Sequence, residues 1–177
     1  MEFLDKDLVS IQETRGLIRK AKEAQSKLAR MSQQDIDRIV KAISDAAYEN
    51  SEKLAKMANE ETGFGKWEDK VLKNVFAART VYESIKDTKT VGIVEENVEK
   101  RAFKIMVPVG VVAGLIPSTN TTSTTIYKAM ISIKARNAIV LSPHPSAKKC
   151  IIETAKIIAK AAERAGCPEG AIGCITV

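Results

Sequence analysis

Apolar residues in the first half of the chain recur at helical spacing. Leu17, Ala21, Ala24 and Leu28 form one stripe within a charged segment, which predicts an amphipathic helix. Ser32 then precedes Asp35 in a near capping box, ahead of a second stripe of Ile36, Ile39, Val40 and Ile43. Asn50 or Ser51 can cap a third helix, which carries Leu54 and Met57 and closes at Thr62 and Gly63. After Gly65, the residues Val71, Val75, Ala78, Tyr82 and Ile85 make a further stripe. All of these read as core-facing helix surfaces.

The period changes near Lys89. Residues 90–94 are β-branched, residues 102–106 alternate, and Asn97 lies between them, so a hairpin or crossing arm is predicted. Residues 109–116 form a near-continuous apolar run, which suits a strand buried on both faces. Residues 121–135 fit a helix with Ile126, Met130 and Ile133 pointing inward. Residues 137–141 read as another buried strand, 146–165 as a long helix ending at Gly166, and 172–177 as a third strand. Strand, helix, strand, helix, strand predicts an α/β fold with a parallel, Rossmann-like sheet and right-handed crossovers. The expected organisation is a helical segment over 1–88 and a partial α/β unit over 89–177. The last apolar run reaches Val177 without a turn or cap, so the sheet is expected to be incomplete, with an open edge prone to association.

Composition narrows the chemistry. At 177 residues the chain can bury a real core, and 45% hydrophobic residues is an ordinary globular value. The net charge is +6, but no basic run exceeds three residues and only one Trp is present, so nucleic acid is not an expected partner. His144 is the only histidine, which excludes a multi-histidine metal site. Cys150, Cys167 and Cys174 are an odd set without CxxC spacing, so neither a zinc site nor a disulfide framework is expected. No apolar run approaches membrane-spanning length, and no secretory leader is visible after Met1. A reducing cytoplasm is the expected location.

Gly110 and Gly114 flank Val-Val-Ala without making GxGxxG, so close strand packing explains them better than a dinucleotide fingerprint. The turn Pro117, Ser118, Thr119, Asn120 is more informative, because five hydroxyl residues, Thr121 to Thr125, follow it. Polar chemistry at the carboxyl end of a buried strand lies where open α/β sheets bind ligands. Two readings of Asn120 stand side by side. It can cap the following helix, or it can aim its amide at a developing oxyanion.

The runs VPVGVVAGLIPSTN and TSTTIYKAMISIKARNAIVLSPHPSAKK, with EETGFGKWEDKVLKN and KDTKTVGIV upstream, resemble the amino-terminal cofactor-domain segment of CoA-acylating aldehyde dehydrogenases. That group includes acetaldehyde-type enzymes and the aldehyde half of bifunctional aldehyde–alcohol dehydrogenases. The resemblance implies that Asn120 helps form the oxyanion hole. It implies that Ile116, Pro117, Ser118 and Thr119 line the nicotinamide side of an NAD groove, and that Ser142, Pro143 and His144 sit near the adenosine ribose. Hydrolytic relatives carry Lys-Pro-Ser-Glu at that second turn; this chain carries Ser-Pro-His-Pro, so Ser142 and backbone groups must replace the Lys and Glu. Thr121 stands where the group usually has Pro, which implies a looser helix entry.

The implied reaction converts an aldehyde plus CoA to acyl-CoA with NAD as hydride acceptor, in a homo-oligomer. The nucleophilic cysteine, the phosphate turn and the oligomerisation segment of the family lie beyond Val177, so the chain alone is expected to be inactive. The three cysteines present are expected to be inert structural thiols. The alternative is a non-catalytic nucleotide-binding or interaction module. Acetaldehyde, propanal, a semialdehyde and sulfoacetaldehyde are all open as substrates. The amphipathic first helix leaves a bacterial microcompartment as an alternative location.

Overall fold

A computed structural model describes residues 5–177; the start of the chain, where no leader was read, includes residues 1–4, which lie outside the described residues. Helix α1 (Lys6–Leu28) opens on Asp5, whose carboxylate accepts the Asp7 N–H. Helix α2 (Gln33–Glu49) starts on a full capping box, with Ser32 Oγ accepting the Asp35 N–H at 3.2 Å and the Asp35 carboxylate accepting the Ser32 N–H at 3.4 Å. Helix α3 (Ser51–Thr62) follows Asn50, which supplies no side-chain cap and instead donates back to the Ala46 carbonyl at 2.8 Å. Gly63 ends α3 in the left-handed region at φ 67°, where a side chain would be strained.

The next apolar stripe is not one regular helix. Helix α4 (Trp67–Val75) runs into a π-helical turn, Phe76–Thr80, and then α5 (Val81–Ile85). The wide turn lets Ala77 and Ala78 reach the core, and the buried Ser44 hydroxyl donates to the Ala78 carbonyl at 2.7 Å.

Strands β1 (Gly92–Asn97) and β2 (Ala102–Met106) form an antiparallel hairpin, so the hairpin expectation holds. Its turn takes Arg101 at φ 49°, and Asn97 Oδ1 accepts the Lys100 N–H. Every residue of β2 is exposed, including Phe103 and Ile105.

The parallel sheet holds β3 (Val111–Ile116), β4 (Ala138–Pro143) and β5 (Ile172–Cys174) in the order β3-β4-β5. Helices α6 (Thr121–Lys134) and α7 (Lys148–Arg164) make the crossovers. Residues on β4 alternate between faces as a pleat requires. Ala138 and Val140 pack on Ala21 and Leu17 of α1, while Ile139 and Leu141 join Ile126, Met130, Ile151 and Ile158 of α6 and α7. The layers are therefore α1, sheet, the α6–α7 pair, and α2 outside that pair. One buried cluster draws on α1, α2, α3, α6, α7 and all three parallel strands.

Two strand expectations need correction. Residues 109–116 are not buried on both faces: Leu115 is 71% exposed and Val109, which precedes β3, is 84% exposed. Gly114 is on the buried face, where a Cβ would stand 3.0 Å from side-chain atoms of Ile139 and Leu141. Residues 172–177 are not all strand either. Pairing ends at Cys174, and the Thr176 and Val177 N–H groups donate to the Glu13 carboxylate of α1 at 3.0 Å. The start of α7 also shifts, because Pro145–Ala147 forms a short 3₁₀ turn ahead of Lys148.

Asn137 sets where β3 begins. Its Oδ1 accepts the N–H of Val109 at 2.7 Å and of Gly110 at 3.0 Å. Gly110 can follow because it sits at φ 119°. Asn137→Ala leaves both donors unpaired, and the expected loss of stability is about 1–3 kcal/mol. A urea midpoint equal to that of the wild type would contradict the clamp.

Candidate active site

The two turns singled out from the sequence meet at the carboxyl edge of the sheet. Ile116 lies opposite Pro143 in the parallel register, and the Ile116 carbonyl accepts the His144 N–H at 3.0 Å. Ile116 is buried, Ser118, Ser142 and Pro143 are half-buried, and Pro117, Thr119, Asn120 and His144 are exposed. The pairing thus brings all eight expected residues to one edge. They do not share one cavity. Asn120 lines a cavity of about 630 Å³ between α4 and α6, whereas Ser142 lines one of about 610 Å³ between α1 and the sheet.

The hydroxyls after Asn120 are not caps. Thr121, Thr122, Thr124 and Thr125 are all buried. Thr122 Oγ1 donates to Asn74 Oδ1 at 2.7 Å, and Thr125 Oγ1 donates to the Thr121 carbonyl at 2.9 Å. Asn74 is itself fully buried and donates to the Ser51 carbonyl at 2.9 Å. Thr122 and Thr125 are thereby satisfied and Thr122 ties α6 to α4, whereas the buried Thr121 Oγ1 has no hydrogen-bond partner among the described residues.

Asn120 occupies the cap position of α6 at φ −126° and ψ 59°, yet its side chain caps nothing. Its Oδ1 accepts a hydrogen bond from the Lys73 ammonium at 3.0 Å. Its Nδ2 donates to no atom of the described residues. The capping reading of Asn120 thus fails on geometry, and a free amide donor is left at the strand exit.

Two lysines surround this turn. Lys70 is only 7% exposed, and its ammonium donates to the Thr119 carbonyl at 3.4 Å. Burial pushes the Lys70 ammonium below its usual range, and the neighbouring Lys73 charge adds to the effect, while Cys150 opposes it. Among the described residues, neither Lys70 nor Lys73 has a carboxylate within ion-pair distance. The first turn of α6 adds its partial positive charge, so the turn is a place where negative charge is stabilised. Leu72, Phe76 and Tyr127 supply apolar wall to the cavity beside it, with Ser123 and Thr124 as polar lining.

Sequence reading missed Lys70, Lys73 and Asn74. Their spacing along KVLKN places them on one helix face, but nothing local says that the face meets a turn 47 residues onward. His144 proves to be a turn residue, its Nδ1 accepting the Ser146 N–H at 3.2 Å. Lys128 donates to the Leu115 carbonyl at 2.7 Å and is tied to β3 rather than paired with a carboxylate.

The cysteines are poor nucleophiles. Burial pushes Cys150, Cys167 and Cys174 each up to about 12. At Cys150 the nearby Glu61 carboxylate, which caps α7 by accepting the Lys149 and Cys150 N–H groups, raises the thiol further, against a lowering contact with Thr121. The described residues hold no cluster of His, Cys, Asp and Glu that could bind a metal ion, and no helix among them is long and apolar enough to cross a membrane.

Comparison with known proteins places the chain in a family. A model of the aldehyde dehydrogenase family matches residues 8–177. An aldehyde-alcohol dehydrogenase of Clostridium acetobutylicum is 47% identical over 168 residues, covering 95% of this chain and 20% of that protein. An acetylating aldehyde dehydrogenase of Geobacillus thermoglucosidasius is 59% identical with a TM-score of 0.97, over 98% of this chain and 38% of its own. A propionaldehyde dehydrogenase of Rhodopseudomonas palustris, solved with bound CoA and an acylated cysteine, is 27% identical with a TM-score of 0.78, over 90% of this chain and 36% of its own. The chain thus spans about a fifth of that aldehyde-alcohol dehydrogenase and less than two fifths of the two solved relatives.

The thiols give a direct check. With all three at about 12, a negligible fraction is thiolate at neutral pH. Iodoacetamide at pH 7.5 should label the folded chain far more slowly than the urea-unfolded chain. Rapid labelling of any one cysteine in the folded state would show an activated thiol.

Proposed function

The chain belongs to the aldehyde dehydrogenase family, and from that membership we propose that it forms the oxyanion-stabilising, cofactor-side segment of a CoA-acylating aldehyde dehydrogenase. The protein as a whole would convert an aldehyde plus CoA to acyl-CoA. Residues 89–177 would be a partial NAD-binding α/β unit and residues 1–88 its helical cover. The observation that carries the reading is the free amide donor of Asn120 at the strand exit, beside an apolar-walled cavity and two lysines with no ion-pair partner among the described residues.

The chemistry requires a thiolate to attack the aldehyde carbon, which places negative charge on the aldehyde oxygen. None of the three thiols of this chain suits that role, so the nucleophile belongs to the rest of the protein. The chain on its own therefore should not turn over. Asn120 Nδ2 would donate to the oxygen as its charge develops, and the α6 amino terminus and the lysines would lower the local cost of that charge. Nicotinamide cofactor, when bound, accepts hydride and leaves an acyl thioester for CoA to take.

The second turn fits such a cofactor in one respect. The Ser142 hydroxyl makes no hydrogen bond to the described residues and is half-buried at the edge of a cavity. It is free to meet a ribose hydroxyl. We take NAD as the cofactor and CoA as co-substrate. The exposed Phe103, Ile105 and Val107 on and after the hairpin favour a homo-oligomer in which this arm is covered. Cytoplasm or a bacterial microcompartment would be the setting.

Removing a single oxyanion donor typically costs about 10² to 10³ in rate, or roughly 2.7–4 kcal/mol. In the full-length enzyme carrying this segment, Asn120→Ala should lower kcat by that order with little change in NAD affinity. Asn120→Asp places a carboxylate against Lys73, so it should fold normally and turn over no better than the Ala variant. Near-normal kcat in Asn120→Asp, measured as NADH formed from acetaldehyde and CoA, would defeat the oxyanion assignment.

A further inference from the structure

We infer that Lys73 is a positioning residue, whose ammonium decides which end of the Asn120 amide faces the reacting aldehyde. The inference rests on the oxyanion role proposed for Asn120 and extends it to a residue on a different helix. An asparagine amide has an acceptor end and a donor end of nearly equal size. Turned one way it presents Nδ2 to the cavity and can stabilise negative charge. Turned the other way it presents Oδ1 and repels that charge. An oxyanion hole built on asparagine therefore needs a second group to set the orientation.

Lys73 is such a group. Its ammonium has three donors and no acceptor, so it can bind only the Oδ1 end, as it does at 3.0 Å. Rotation of the amide by half a turn would set Nδ2 against a cation, with donors facing donors. No carboxylate lies within ion-pair distance of Lys73 among the described residues, although Asp69 of α4 lines the same cleft. The contact is a charge-assisted one, and drawing electron density toward Oδ1 makes the N–H bonds of Nδ2 better donors.

The placement of Lys73 is enforced from below. Asn74, the next residue, is fully buried and clamps α4 to Thr122 of α6 and to the Ser51 carbonyl. Lys70, one helical turn earlier, is buried and bound to the Thr119 carbonyl of the same turn. With α4 held at both points, the stem of Lys73 reaches Asn120 from a fixed base. The Lys70 ammonium is committed to backbone, so Lys73 is the cation of this pair that meets the amide.

A double-variant experiment in the full-length enzyme tests this. Lys73→Met removes the donor, Lys73→Arg keeps one, and each is made with Asn120 intact and with Asn120→Ala. Misorienting the amide should lower kcat by at least about tenfold in Lys73→Met. KM for NAD and the melting temperature should stay near wild type. Lys73→Arg should recover most of kcat. On the Asn120→Ala background, Lys73→Met should change kcat by less than about threefold, because the residue through which it acts is gone.

Losses that multiply in the double variant would overturn the inference, since Lys73 would then act on substrate directly. Wild-type kcat in Lys73→Met would overturn it as well. The two readings fail differently. If Asn120→Ala alone keeps full kcat, the oxyanion role falls and the inference with it. If Asn120→Ala is slow while Lys73→Met is fast, the oxyanion role stands and only the positioning role falls.

Discussion

The parallel register of β3 on β4 is the constraint from which the rest of the site follows. It is pinned at both ends. At the start, Asn137 holds the Val109 and Gly110 amides, and at the finish the His144 N–H is held by the Ile116 carbonyl. Between them Gly114 lets the strand lie against Ile139 and Leu141 with no side chain in the way. A slip of one residue would turn Ile116 out of the core and move both strand exits. With the register set, Ile116 and Pro143 end level, and the two turns open at one edge of the sheet.

Polar groups then finish what packing begins. Helix α6 is buried along most of its length, and its first turn is threonine-rich where an ordinary buried helix would be apolar. Of those hydroxyls, Thr122 is met by Asn74 of α4 and Thr125 by the Thr121 carbonyl, while Thr121 Oγ1 has no partner among the described residues. Helix α4 also carries Lys70 and Lys73 to the turn. The result is two ammonium groups with no carboxylate within ion-pair distance among the described residues, although Asp69 lines the same cleft. That arrangement costs folding energy, as the lowered Lys70 ammonium indicates, and it suits a reaction that builds negative charge at the turn. Structure and chemistry meet at Asn120, which the backbone places at the helix start but which spends its side chain on Lys73 rather than on the helix.

The sequence made the local features legible. The Ser32 and Asp35 capping box, the Gly63 terminus and the inward Ile126, Met130 and Ile133 each depend on residues within a turn or two. The hairpin and the alternation of strands and helices were legible for the same reason. What escaped depends on distant partners. Apolar residues at 109–116 show fitness for burial, not that another layer packs on them, and Leu115 is open to solvent. The π-helical turn at Phe76–Thr80 answers to packing on α2 and α6, which periodicity does not report. The last residues leave the strand because Glu13, far off in sequence, takes their N–H groups. That Asn120 does not cap its helix escaped for the same reason, since its side chain is taken by a lysine of α4.

In the proposed reaction the Asn120 amide offers its donor end to the reacting oxygen. The side-chain ¹⁵N–¹H signals of Asn120 in the full-length enzyme report on this most directly. With aldehyde added in the absence of oxidised cofactor, one of the two Nδ2 protons should move markedly downfield as it enters a hydrogen bond to the new oxyanion. If both protons keep their shifts when the adduct forms, the amide does not face the reaction and the account of this site is wrong.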